Sequence, residues 1–414
     1  MSRLKTLAVT FDSNTNVFYP GDVIRGQVIV QVDSTRDLEG LKNVQGIWVK
    51  VKGKAKTKWT TTRRDSNGDS HTVTHSKKER YFDTIFVIFG TGKHQHPANK
   101  LNIPPGTTAY PFSFQLPNEM LPAPFEHKYG YVRYKVKATL SLIRTFSNKT
   151  FKREKLFSVT GPKVDLNTMQ RVQSGVKRTE ELFGCCGCSS TVEESITIGL
   201  PKQGYVPGES LYVTGQVDNR DREESCHFRA QFLQKITFHS NIHEKEVETI
   251  LGNVSYRVAT PRGRVTDFSL GPMLIPPVPP SGLPGCKLID INYRIKCTST
   301  DGKWNFPIVI GTVPLRAPMP ASHPTAPPEN TPNSSAIATA PDFPVGVASS
   351  APPFGGEAPP LSYEEAPPPS YEQAVGQIDR LTNERNDEDY FRDDQFVPSY
   401  PYFNLSIDVP PDSR

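Results

Sequence analysis

The sequence predicts an all-β protein: two tandem β-sandwich domains followed by a disordered, proline-rich acidic tail. The first observation behind this is a duplicated order of motifs. Pro20-Gly21-Asp22 and Gly26-Gln27-Val28 return as Pro207-Gly208-Glu209 and Gly215-Gln216-Val217, and Val132-Arg133-Tyr134-Lys135-Val136 returns as Ile291-Asn292-Tyr293-Arg294-Ile295. Such a repeat means two similar units in series. The second is a period of two: Tyr134, Val136, Ala138, Leu140 and Leu142 alternate with Arg133, Lys135, Lys137, Thr139 and Ser141, and the same alternation runs from Ile289 to Cys297. That is the pattern of a strand with one buried face. The third is composition: 19 of the 98 residues from 317 to 414 are proline, mixed with Ala, Ser and Glu. Such a stretch buries too little apolar surface to offset chain entropy.

Taken in order, the first sandwich is expected at residues 1–160, where alternation also marks Gly26 to Val32 and Ile47 to Trp59. A connection follows at 161–190, with a short helical candidate around Val176 to Leu182. The second sandwich is expected at 191–316 and the tail at 317–414. Strand-length pieces broken by Tyr19-Pro20-Gly21-Asp22, Pro104-Pro105-Gly106 and Val206-Pro207-Gly208-Glu209 suit sandwiches rather than a parallel α/β sheet. From Gly21 to Tyr134 the first copy is longer than its counterpart from Gly208 to Tyr293, and the extra chain is expected between Lys52 and Leu101.

No stretch approaches the ~18 apolar residues of a membrane span, which points to a cytosolic protein or one held at a membrane surface. The six cysteines do not look like a disulfide framework, so reduced thiols are expected. The net charge of +5 conceals an asymmetry: residues 317–414 carry 4 basic and 15 acidic side chains, leaving residues 1–316 at +16.

Enzyme signatures are absent. Gly90-Thr91-Gly92-Lys93 continues into His94 and has Val87 where a phosphate loop needs its first glycine, so no cradle forms. His71 with His75, or His94 with His96, would need further partners to hold a metal, and no cofactor is expected. There is no Gly-x-Ser-x-Gly elbow and no His-Glu-x-x-His.

Three features remain as candidate sites. Pro368-Pro369-Ser370-Tyr371 is the Pro-Pro-x-Tyr signature read by WW domains: the prolines favour polyproline II, so little entropy is lost on docking, and the tyrosine fills a neighbouring pocket. Two imperfect relatives flank it. Pro360 to Tyr363 has one residue too many, and Pro398 to Tyr400 lacks the first proline; weak extra sites raise avidity toward a partner with several WW modules. A proline-rich spacer is the plain alternative.

The second feature is a ladder of Lys50, Lys52, Lys54, Lys56 and Lys58, which in an extended strand share one face at ~6.6 Å intervals. Phospholipid headgroups, an acidic or phosphorylated receptor tail, or the chain's own tail would relieve the repulsion. The plain alternative is a solvated edge strand protected by lysine. Third, Cys185, Cys186 and Cys188 crowd a connection beside a basic domain, a setting for reversible palmitoylation; inert surface thiols are the other reading.

The combination of the two Pro-Gly-acidic turns, the run from Tyr110 to Pro117, Ile275-Pro276-Pro277 and a tail with Pro-Pro-Ser-Tyr resembles the α-arrestins, also called arrestin domain-containing proteins, over nearly the whole chain. The resemblance implies an adaptor. An arrestin-like body would recognise membrane receptors or transporters as cargo, and the tail would recruit HECT-type ubiquitin ligases through their WW domains, driving cargo ubiquitination, endocytosis and endosomal or lysosomal sorting. The expected location is then the cytoplasm, with recruitment to plasma membrane and endosomes. Of the family's ligase-binding residues, Pro368, Pro369 and Tyr371 carry over. Where many members have a second intact tetrad, this chain has Val397-Pro398-Ser399-Tyr400-Pro401-Tyr402. An arrestin-like structural subunit of an endosomal sorting coat, with the tail a spacer, is the alternative. The basic body also permits salt-sensitive nucleic-acid contact, but the ladder lacks interleaved aromatics for base stacking, so no specific nucleic acid is expected.

Overall fold

The computed structural model describes residues 4–13, 15–33, 39–93, 95, 101–145, 147–183, 192–222, 225–300, 302–316 and 396–403, together with the backbone of 390–391. Its regular structure is almost entirely β. In the first sandwich, β1 (Leu4–Phe11), β3 (Val23–Val32) and β7 (Gly106–Gln115) form a three-stranded sheet in the order β1-β3-β7. The facing sheet has the order β2-β10-β9-β4-β5, from β2 (Val17–Phe18), β4 (Leu41–Arg64), β5 (Ser70–Gly90), β9 (Gly130–Leu142) and β10 (Lys149–Val159). The short strands β6 (Leu101–Ile103) and β8 (Phe125–His127) pair with β4 and β9.

The second sandwich repeats the plan. One sheet runs β11-β12-β14-β17, from β11 (Val176–Phe183), β12 (Val192–Leu200), β14 (Ser210–Asn219) and β17 (Arg264–Leu274). The other runs β13-β19-β18-β15-β16, from β13 (Gly204–Tyr205), β15 (Ser225–Ser240), β16 (His243–Ala259), β18 (Ile289–Thr298) and β19 (Lys303–Ile310). The long hairpins differ in length: β4 and β5 cover residues 41–90, whereas β15 and β16 cover 225–259.

Alternation explains the core. Along β3, Ile24, Val28, Val30 and Val32 point inward between exposed neighbours, each contributing roughly 1.5–3 kcal/mol by leaving water. In β9 and β18, the central strands of their sheets, Val132, Tyr134 and Val136 match Ile291, Tyr293 and Ile295 as buried residues.

The duplicated residues do the same physical jobs in both copies. Asp22 N–H donates to Tyr19 O and Glu209 N–H to Val206 O, with Gly21 and Gly208 at φ of 86° and 98°. A positive φ at the third position is what this tight turn requires of glycine. Each turn is closed by its own carboxylate, Asp22 accepting from Tyr19 N–H and Glu209 from Val206 N–H. Gly26 lies opposite Phe112 and Gly215 opposite Phe268; a Cβ would meet those rings at 2.9 and 2.1 Å, so each glycine seats a cross-strand aromatic. The hydroxyls of Tyr134 and Tyr293 donate to the carbonyls of Pro122 and Pro279, both at 2.7 Å.

Several expectations are corrected. Val176 to Leu182, read as helical, is strand β11, pairing with β12; the second sandwich therefore begins inside the stretch read as connection. The helical turns lie earlier, at Leu166–Thr168 and Gln170–Gln173. The lysine-bearing strand β4 is not an edge, because β9 and β5 flank it. Finally, the tail is not without structure throughout: Tyr390–Phe391 forms β20, parallel to β10, and residues 396–403 pack on the body.

Candidate functional site

Lys50, Lys52, Lys54, Lys56 and Lys58 are half-buried on one face of β4, alternating with buried Val49, Val51, Ala55, Thr57 and Trp59. Antiparallel register brings a second row beside them: Lys50 lies opposite Lys137, Lys52 opposite Lys135 and Lys54 opposite Arg133. The polar face of β9 was legible in the sequence. Its apposition to the ladder was not, because cross-strand pairing is set by the whole sheet.

Three carboxylates punctuate this basic face. Asp83 on β5 bridges Lys50 at 2.7 Å and Lys52 at 3.0 Å. Glu154 on β10 pairs with Lys135 and stands 3.9 Å from Lys137. Glu126 on β8 takes two hydrogen bonds from the Arg133 guanidinium, at 2.5 and 2.6 Å, with both side chains buried. Tyr131 is stacked beneath the Arg133 guanidinium at 3.8 Å and lies 5.2 Å from Lys54 Nζ.

The electrostatics follow from the crowding. Burial, then Lys135, Lys52, Lys56 and Arg133, pull the Lys54 ammonium down to about 7. Burial also lowers Lys135 and Lys137, although Glu154 opposes it. Burial would raise Asp83, but the two ammonium groups beside it prevail and hold it below its ordinary value. An anion arriving here meets partly dehydrated cations, the condition under which charge pairing is strongest.

At the far end of β4 the two sandwiches touch. Thr57 Oγ1 donates to His239 O at 2.7 Å, and His75, stacked on Trp59, meets the edge of His243 at 4.4 Å between centroids. His71 and His75 are both on β5, the former bound to Asp65. Among the described residues no group of three His, Cys, Asp or Glu is arranged to hold a metal ion, and no helix is long and apolar enough to cross a membrane. Cys226 and Cys297 are buried and Cys286 is half-buried.

Of the other candidate residues, Pro368, Pro369, Ser370 and Tyr371, Pro360 and Tyr363, and Cys185, Cys186 and Cys188 lie outside the described residues. Pro398 and Tyr400 lie within them and are packed: Pro398 is buried, and Tyr400 Oη donates to Pro124 O at 2.9 Å.

Two duplicated sandwiches joined by a short connection define an arrestin-type architecture. Residues 7–167 match the model of the arrestin (or S-antigen) N-terminal domain and residues 193–315 that of the C-terminal domain. Among curated relatives, arrestin domain-containing protein 17 of Caenorhabditis elegans is 27% identical over 330 residues, covering 76% of this chain and 72% of its own. Arrestin domain-containing protein 4 of Mus musculus is 26% identical over 75% of this chain and 73% of its own, and arrestin domain-containing protein 1 of Homo sapiens 24% over 83% and 76%. The chain belongs to the arrestin-domain proteins of the α-arrestin family, which is non-enzymatic.

Proposed function

We propose that this protein is an adaptor between membrane-protein cargo and WW-domain HECT-type ubiquitin ligases, promoting cargo ubiquitination, endocytosis and sorting. The observation that carries the reading is the joining of an arrestin-type body to Pro368-Pro369-Ser370-Tyr371 in one chain. The tetrad is a ready WW ligand, with prolines already biased to the bound conformation and tyrosine as second anchor. The basic face of β4 and β9 is assigned to an anionic partner at the membrane, either lipid headgroups or an acidic cytosolic segment of the cargo. Palmitate on Cys185, Cys186 or Cys188 would add a second membrane signal, since one acyl chain alone anchors weakly. Location in the cytoplasm with recruitment to plasma membrane and endosomes is part of the same proposal.

The test uses the full chain in cells. Tyr371→Ala removes the tyrosine anchor, and co-precipitation of WW-domain ligases and cargo ubiquitination should both fall about tenfold or more, in line with loss of a hot-spot aromatic. Undiminished ligase capture by the variant refutes the assignment of this tetrad. Cargo degradation that continues without ligase capture favours the coat-subunit reading instead.

A further inference from the structure

The sequence treats Val397-Pro398-Ser399-Tyr400 as a weakened copy of the upstream WW ligand, but its neighbours in the fold give it a different partner. The C-terminal segment approaches along the edge of β10: β20 pairs in parallel with it, Tyr390 opposite Lys152 and Phe391 opposite Arg153. Farther along the same strand, Ser399 N–H donates to Ser158 Oγ at 3.4 Å. Ser399, Tyr400 and Pro401 then form one wall of a cavity of about 250 Å³, whose other walls are Val17, Tyr19 and Val159 of the first sandwich and Pro280 and Thr312 beside the second. Its ring packs against the main core and its hydroxyl bonds Pro124 O.

Three residues on, the segment has crossed to the second sandwich. Phe403 N–H donates to Pro207 O at 3.0 Å, and its side chain packs on Leu166, Val172 and Val206. The approach is so close that a Cβ on Gly208 would stand 1.9 Å from Phe403 O, whereas at the matching turn a Cβ on Gly21 would meet only the Asn118 side chain, at 3.4 Å. Gly208 thus meets a need that its duplicate does not have.

We propose that the junction of the two sandwiches is a peptide-docking groove. It reads an extended, proline-containing segment by a tyrosine and an aromatic residue three positions later, and the segment it holds is the chain's own Phe396 to Phe403. The chemistry is that of an extended segment held by two aromatic anchors: the Ser399 N–H bond to the Ser158 hydroxyl on β10 and the Phe403 N–H bond to Pro207 O set direction, and Tyr400 and Phe403 set register. While docked, Tyr400 is withheld from any WW domain, because ring and hydroxyl are both engaged. The groove spans both domains, so its occupant also ties one to the other. This inference does not depend on the adaptor reading, and its failure would leave the role of Tyr371 untouched.

The test is competition in trans. A fluorescent peptide with the sequence of residues 394–404 is titrated into the full-length chain and into the full-length Tyr400→Ala, Phe403→Ala double variant, whose groove is vacated. With a segment affinity on the order of 0.1 mM and a tether giving about 1 mM effective concentration, the cis segment fills the groove ~90% of the time and weakens the trans peptide about tenfold. The peptide should therefore bind the double variant about tenfold more tightly than the wild type. The same peptide phosphorylated at the position of Tyr400 should bind neither, since a phosphate dianion would face the Pro124 carbonyl. In hydrogen exchange on the wild-type chain, the Ser399 and Phe403 amides should be protected and should lose protection when the unphosphorylated peptide is added in excess. Equal affinity for both chains, failure to bind the double variant while it keeps the wild-type thermal transition, or unprotected Ser399 and Phe403 amides would each overturn the proposal. Binding that survives phosphorylation would overturn the assignment of Tyr400 as the anchor.

Discussion

Lys54 allows the basic face to be tested by a single proton. Its ammonium titrates near 7, held down first by burial and then by Lys135, Lys52, Lys56 and Arg133. Roughly nine-tenths of the molecules therefore carry that charge at pH 6 and roughly one-tenth at pH 8. A basic residue close to an anionic membrane contributes about 1 kcal/mol, so the gain of ~0.8 charge strengthens binding about fourfold between pH 8 and pH 6. The assay is co-sedimentation of the full chain with phosphatidylserine vesicles near 0.1 M salt, where the Debye length of about 10 Å spans the face. Lys54→Met keeps most of the apolar stem and removes the charge, so its binding should stay at the weaker level across the range. Lys54→Arg is charged throughout and should stay at the stronger level. Histidine titrations elsewhere affect all three proteins alike. A pH step of the same size in both variants would refute the reasoning, since the proton responsible would then lie elsewhere.

Other expectations concern the frame that holds this face. Glu126→Gln leaves the buried Arg133 guanidinium without its carboxylate and should cost about 3–5 kcal/mol in urea unfolding, whereas replacing both residues by apolar side chains of similar volume should cost far less. Tyr134→Phe and Tyr293→Phe each remove a bond to a proline carbonyl and should lower stability by about 1 kcal/mol apiece, read from the same urea midpoints. His75 is held below its ordinary value by burial, then by His243 and Arg63. Its neutral ring supports the domain contact above pH ~6.5, and that support is lost as pH falls below it. The thermal midpoint should drop less between pH 7.5 and 5.5 in His75→Gln than in the wild type.

The parts of the fold legible in the sequence were those with a local cause. The turn at Pro20-Gly21-Asp22 needs a positive φ and a short carboxylate within three residues, so its duplicate at Pro207-Gly208-Glu209 announces itself. Alternation along Tyr134 to Leu142 reports one apolar buried face, and β9 presents it, but Arg133, Thr139 and Ser141 on its polar face are buried as well, leaving only Lys135 and Lys137 half-buried. What failed was the reading of Val176 to Leu182, where Lys177, Arg178, Thr179 and Glu181 are exposed on β11. A strand whose apolar residues are few is recognised by its neighbour β12, not by its own pattern. The same reason hid half of the basic face. Lys50 and Lys137 are far apart in the chain, and only the order β9-β4-β5 places them together and makes an interior strand of one read as an edge.

The tail carries this lesson to function. Before the tyrosine, the stretch around Tyr400 differs from that around Tyr371 only in having Val397 where the other has Pro368; each has a proline and a serine next. The physical difference lies on the C-terminal side of each tyrosine. After Tyr400 come Pro401, Tyr402 and Phe403, enough apolar surface to reach Leu166, Val172 and Val206, whereas after Tyr371 come Glu372 and Gln373. Burying Phe403 contributes up to about 2 kcal/mol, comparable to what fixing one or two residues of backbone costs. Docking of such a segment is therefore poised near balance, held by two anchors and released by loss of either one.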